Sequence, residues 1–127
     1  MHEQDTAILT ALVPVAWADG TFAEREREMI DALLDAYCAD DREKEALLEY
    51  AAKPRTFDDI DLQELSADDR RVLLQHAVLL SFADGAQAPE ELAMVQKLAK
   101  KLRIPDEEAK ELIEASNARA KKLLHLI

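Results

Sequence analysis

The chain has 127 residues, a length that one domain fills and that allows a sizeable core. Apolar residues make up 49% of it, which excludes a disordered chain, and two glycines and four prolines are too few for the turns of a sandwich or barrel. A net charge of -11 excludes nucleic acid and anionic lipid as favoured partners and points to cations or basic protein surfaces.

The first predicted helix runs over 6–18, with Ile8, Leu9, Leu12, Val13 and Ala16 at helical spacing. Pro14 inside it is expected to kink or divide it, and Gly20 to stop it in a left-handed turn. The second covers 23–39, with Met29, Ile30, Leu33, Leu34 and Tyr37 as its buried stripe and Glu24, Glu26 and Glu28 at the positive end of its dipole. Asp40 or Asp41 caps a third helix that turns Ala46, Leu47 and Tyr50 inward.

Pro54 breaks that helix, and a connector over 51–65 follows. Phe57, Ile60, Leu62 and Leu65 make it too apolar for a free linker, so it is read as a short helix or turn. Ser66 is the expected N-cap of a fourth helix, read as the most apolar and central of all, through Val72, Leu73, Leu74, Ala77, Val78, Leu79, Leu80 and Phe82. Gly85 stops it, and Pro89 sits in the first turn of a fifth helix that carries Met94, Val95, Leu98 and Leu102. Pro105 starts the last, with Asp106, Glu107 and Glu108 at its front and Lys121 and Lys122 near its end.

Shifting the chain against itself by 65 residues aligns the two halves without a gap. Leu9 falls on Leu74, Val13 on Val78, Trp17 on Phe82, Glu26 on Glu91, Met29 on Met94, Ile30 on Val95, Leu33 on Leu98 and Leu47 on Leu112. Helical period alone could match core residues. It does not explain why Ala18-Asp19-Gly20 falls on Ala83-Asp84-Gly85 with a glutamate at the same distance beyond each. The reading is an all-α, pseudo-twofold bundle of two three-helix repeats, with six or seven helices in one domain over 1–127. Repeat one covers 5–50 and repeat two 66–127.

Asp19 and Asp84 each end a helix, where a carboxylate opposes the dipole at a cost of up to about 1 kcal/mol. Two compensations are open. Each Asp can accept backbone N–H bonds in an Asx-type turn, with Glu26 or Glu91 bracing the same loop. Alternatively, Asp19, Glu26, Asp84 and Glu91 hold a divalent metal, with Ca²⁺ and Mg²⁺ ahead of Zn²⁺, because hard cations take several carboxylate and carbonyl oxygens. The spacing is not that of an EF-hand, since Gly20 follows Asp19 at once.

The segment Ala18-Asp19-Gly20-Thr21-Phe22-Ala23-Glu24-Arg25-Glu26 and its second copy Ala83-Asp84-Gly85-Ala86-Gln87-Ala88-Pro89-Glu90-Glu91 resemble the TerB-like family. That family includes tellurite resistance protein TerB and the N-terminal region of DjlA-type co-chaperones. The resemblance spans nearly the whole chain. It implies a pseudo-symmetric helical bundle whose acidic positions, here Asp19, Glu26, Asp84 and Glu91, are associated with divalent cations. It further implies a role in stress-response or membrane-linked complexes rather than catalysis. Gln87 stands where the family has an apolar residue, and no J-domain is present, so a co-chaperone role does not carry over.

The remaining candidates are weak. His2, His76 and His125 are scattered, and His76 reads as a satisfied or rim histidine of the fourth helix. Cys38, Ser66 and Ser81 lack an activating partner at motif spacing, and the single cysteine excludes an intrachain disulfide. Trp17 and Phe82 read as core, and Asp58-Asp59-Ile60-Asp61 as a solvated acidic segment. No signal peptide or membrane span is readable, so a cytoplasmic location without membrane insertion is expected. The expected function is a non-enzymatic interaction module for a protein partner. The alternative is a purely structural interaction domain whose Asp and Glu residues only cap loops.

Overall fold

The computed structural model describes residues 2–18, 22, 24–81 and 89–123. Among them are six α-helices and no strand: α1 (Glu3–Ala16), α2 (Glu24–Ala36), α3 (Asp41–Ala51), α4 (Ala67–Ser81), α5 (Pro89–Lys101) and α6 (Asp106–Leu123). Two short 3-10 turns, Phe57–Asp59 and Leu62–Glu64, fill the connector. Ile60 and Leu65 are buried and Phe57 and Leu62 half-buried, so the connector is anchored to the core.

Helix starts follow local chemistry. Asp40 Oδ1 accepts from the Glu43 N–H at 2.8 Å and Glu43 Oε1 from the Asp40 N–H at 3.0 Å, a reciprocal capping box that opens α3. Ser66 and Asp69 form the same box at α4, with both bonds at 3.1 Å. Pro105 does not begin α6 but precedes it, and its carbonyl takes the first helical bond from the Ala109 N–H at 2.8 Å.

Helix ends carry the duplication into the backbone. α2 and α5 begin and end at residues 65 apart, α1 and α4 end so, and α3 and α6 begin so. α2 stops at Ala36, short of the expected Ala39, because Cys38 turns left-handed at φ 61. Arg103, its equivalent after α5, has φ 60. The Ala39 N–H reaches the Leu34 carbonyl at 2.9 Å and the Ile104 N–H reaches Ala99 at 3.1 Å. The Cys38 and Arg103 N–H groups reach Asp35 and Lys100, each at 3.0 Å. Both turns are thus Schellman motifs built without glycine.

α1 packs on α2, α3 and α4, and α4 packs on α5 and α6, so α1 and α4 form the seam between the copies. Leu9, Leu12 and Val13 of α1 and Leu73, Leu74 and Val78 of α4 are fully buried there. Four further expectations need correction. α1 begins at Glu3, three residues early, and Pro14 does not divide it, because the proline lies in the last turn and only one backbone bond is forfeited. α1, with eight of fourteen residues buried, is more enclosed than α4, with six of fifteen, since α4 opens on the polar run Asp68-Asp69-Arg70-Arg71. Ala46 is exposed, while Leu47 alone among the three inward candidates of α3 is buried. Gly20, Phe82 and Gly85 lie outside the described residues.

Candidate functional site

α1 delivers the chain to the first Ala-Asp-Gly turn through Trp17, whose N–H bonds the Val13 carbonyl at 3.1 Å. The indole is fixed from two sides. Its Nε1 donates to the Ala51 carbonyl at the end of α3 at 3.0 Å, and its ring stacks on Phe22 with centroids 5.7 Å apart. Trp17 is therefore half-buried core, as its spacing implies, and it ties the end of α1 to the end of α3.

Glu26 lies in the first turn of α2 and Glu91 in the first turn of α5, at equivalent positions 65 residues apart. Both are half-buried, and both interact with other groups of the protein. The helix dipole favours a carboxylate at each place. Asp19 and Asp84 lie outside the described residues, and among the described residues no three His, Cys, Asp or Glu side chains gather to hold a metal. The donor chemistry of the four candidates is carboxylate only, which matches Ca²⁺ or Mg²⁺ better than the imidazole- and thiolate-preferring Zn²⁺.

The segment Asp58-Asp59-Ile60-Asp61 keeps its three acids exposed, as expected, with only Ile60 buried. Asp59 accepts from the Thr56 N–H at 2.8 Å and Asp61 from the Gln63 N–H at 3.0 Å, so both serve the 3-10 turns. Asp58 reaches Lys101 at 3.6 Å.

His76 has a partner that its position in the sequence does not announce. Its Nε2 lies 2.8 Å from the Tyr37 hydroxyl, joining α4 to the turn after α2 across the two copies. Burial lowers the His76 pKa from 6.5, favouring the neutral ring. The Tyr37 pKa is raised, first by burial and then by the negative charge of Asp5. A neutral imidazole paired with a neutral phenol is a structural bond across the seam.

Two arginines also escaped the sequence reading. Arg70 donates to three main-chain carbonyls, Leu62 at 2.7 Å, Leu65 at 3.2 Å and Leu102 at 3.3 Å, clasping the connector to the end of α5. Arg71 forks onto Glu108 of α6, with Nη2 to Oε2 at 2.9 Å, and holds that carboxyl below its ordinary range. Glu108 is the equivalent of Glu43, which caps α3, so the shared glutamate serves two different ends.

Among the described residues no helix is long and apolar enough to cross a membrane. The family model of tellurite resistance protein TerB matches residues 5–114. No curated protein and no solved structure matches the chain.

Proposed function

The chain belongs to the TerB family of tellurite resistance proteins, and from that premise we propose that it is a non-enzymatic interaction module of the tellurite-resistance type that takes up a divalent cation. One observation carries the reading. The sequence Ala-Asp-Gly and its glutamate recur with the same 65-residue shift as the bounds of the helices that follow, and Glu26 and Glu91 stand alike at the fronts of α2 and α5. Asp19 and Glu26, with Asp84 and Glu91, would hold Ca²⁺ or Mg²⁺ through hard oxygen donors, with Zn²⁺ third. The cation would neutralise the acids of the two Ala-Asp-Gly segments and so favour the form of the module that its partner binds.

The partner is a protein with a basic face, in a membrane-associated, stress-responsive complex reached from the cytoplasm. A net charge of -11 supports that choice and opposes nucleic acid. Titration calorimetry with Ca²⁺, Mg²⁺ and Zn²⁺ tests the cation, run on wild type, on Asp19→Asn with Asp84→Asn, and on Glu26→Gln with Glu91→Gln. Saturable uptake by wild type that both double variants lose supports the reading. No uptake at millimolar metal defeats it. Loss of stability in the variants without any response to metal assigns the four acids to loop capping instead.

A further inference from the structure

A cleft of about 580 Å³ opens where α1 ends, the connector crosses and α5 runs past both. Trp17, Phe57 and Met94, all half-buried, supply its apolar surface, with the buried Pro14 behind them. Arg55, Lys97 and Lys101 stand on its rim with two acids, Asp58 and Glu90. In a chain of net charge -11, this cleft gathers more bases than acids. The geometry points to a binding site for a small organic anion with a flat apolar body, seated against Trp17 and Phe57 with its charge toward Arg55, Lys97 and Lys101.

The duplication shows that the lysines are not demanded by the fold. Lys97 and Lys101 fall on Ala32 and Ala36 of α2, which build an equivalent helix without them. α2 carries five acids and two bases, and α5 carries two acids and three bases. The basic character is therefore confined to one copy, and two of its three lysines, Lys97 and Lys101, line the cleft while Lys100 faces away from it.

The walls are held in place before any ligand arrives, which lowers the ordering cost of binding. Trp17 is fixed by its bond to Ala51 and its stacking on Phe22. Arg55 lies 3.8 Å over the Tyr50 ring, and its Nε donates to the Tyr50 carbonyl at 3.2 Å. Those contacts leave its two terminal nitrogens as donors suited to a carboxylate, sulfonate or phosphate fork. Lys101 meets Asp58 at 3.6 Å, but the Asp58 side chain is 94% exposed, so an incoming anion displaces a weak pair.

Size and charge select the class of ligand. The volume lies within the usual range for small-molecule sites, about 300–1,000 Å³. A polyanion would meet the negative field of the whole surface. A small anion feels chiefly the cations beside it, because salt screens charges beyond about 8 Å.

Anilinonaphthalene sulfonate is a flat aromatic anion and serves as the probe, with uncharged N-phenylnaphthylamine as its control. Trp17 is the chain's one tryptophan and lies in the cleft, so energy transfer to the bound probe reports on this place. Saturable binding with quenching of Trp17 is expected. Lys97→Ala with Lys101→Ala should weaken it about tenfold, the scale of losing two charge-assisted contacts. Lys100→Ala, which faces a second cleft between α5 and α6, should leave it unchanged. The uncharged analogue should bind wild type and the double variant alike. Absence of saturable binding, indifference to the double variant, or an equal loss in Lys100→Ala overturns the assignment. Circular dichroism melts of each variant confirm that the fold is intact.

Discussion

α2 and α5 start and stop at equivalent residues, close with the same left-handed turn, and bury Ile30 and Leu34 on one helix where Val95 and Ala99 lie on the other. Around that shared frame the polar contacts have parted. Asp5 in copy one sits near the Tyr37 hydroxyl and helps raise its pKa, whereas Arg70, its equivalent, donates to the carbonyl of Leu102, the equivalent of Tyr37. Tyr37 bonds His76, while their counterparts Leu102 and Ala11 are both buried and apolar. Backbone register and core period are thus held in common, because a helical hairpin needs them in either copy. The polar contacts have been free to differ, both within a copy, as with Arg70 and Leu102, and between copies, as with Tyr37 and His76.

The severest challenge to that equivalence lies in the core. Leu9 and Leu74 are equivalent, and both are fully buried on the seam. Leu9→Ala and Leu74→Ala should each cost about 2–5 kcal/mol in chemical denaturation, from lost transfer energy and the cavity left behind. Comparable losses would show that both copies bear the same core. A loss under about 1 kcal/mol at one site would show that its half can collapse around the cavity, breaking the equivalence.

The next effect belongs to copy two alone. Arg70→Ala removes donors from Leu62, Leu65 and Leu102 at once. A loss of about 1.5–3 kcal/mol is expected, the range for hydrogen bonds to a charged group. Asp5→Ala should cost much less, since Asp5 clasps no carbonyl in this way. Amide exchange should then rise at the connector and the end of α5 in the Arg70 variant. If the two variants prove equal, the connector is not held by this arginine.

Local signals made much of the frame readable in the sequence. Asp40 with Glu43 and Ser66 with Asp69 are three residues apart and form their boxes from within one turn. The apolar period and the 65-residue shift placed α1 through α6 to within a few residues. What escaped depends on distant partners. Tyr37 and His76 are 39 residues apart, Arg70 and Leu102 are 32 apart, and no short pattern pairs an arginine with a carbonyl. The left-handed Cys38 and Arg103 were hidden because neither is the glycine or asparagine that marks such a turn. Of the four acidic candidates, Glu26 and Glu91 are placed alike on their helices, while Asp19 and Asp84 lie outside the described residues. The cleft beside Trp17 could not be read from spacing, since three separate segments build it.

Burial of His76, on the seam beside Tyr37, gives copy two a pH response that its counterpart Ala11 in copy one cannot have. Burial keeps the folded-state pKa of His76 below its ordinary 6.5, so the unfolded chain takes up that proton first. The contribution of this pair to stability is therefore complete above pH 6.5 and falls as the pH drops from there toward the lowered folded value. Tyr37→Phe should cost about 0.5–1.5 kcal/mol at neutral pH, the net worth of one such bond. His76→Gln should flatten the part of the stability profile just below pH 6.5 relative to wild type. Unchanged profiles in denaturant titrations across that interval would mean that the imidazole titrates with water access and the seam is not pH-sensitive there.

The smallest effect tests the feature in which the copies agree most closely. Cys38 at φ 61 and Arg103 at φ 60 both occupy the region where a side chain crowds its own carbonyl. Glycine there removes the clash but adds freedom to the unfolded chain, so the two contributions partly cancel. Cys38→Gly and Arg103→Gly should each stabilise by about 0.5–1 kcal/mol, seen as a rise in Tm of a few degrees for a domain of this length. Both residues follow helices of identical span and both turns are closed by the same pair of backbone bonds, so the gains should match and add in the double variant. Unequal gains would mean that one side chain contributes something its counterpart does not. The exposed Arg103 guanidinium, near the negative end of the α5 dipole, is the physical candidate for that difference, because Cys38 offers no charge to the end of α2.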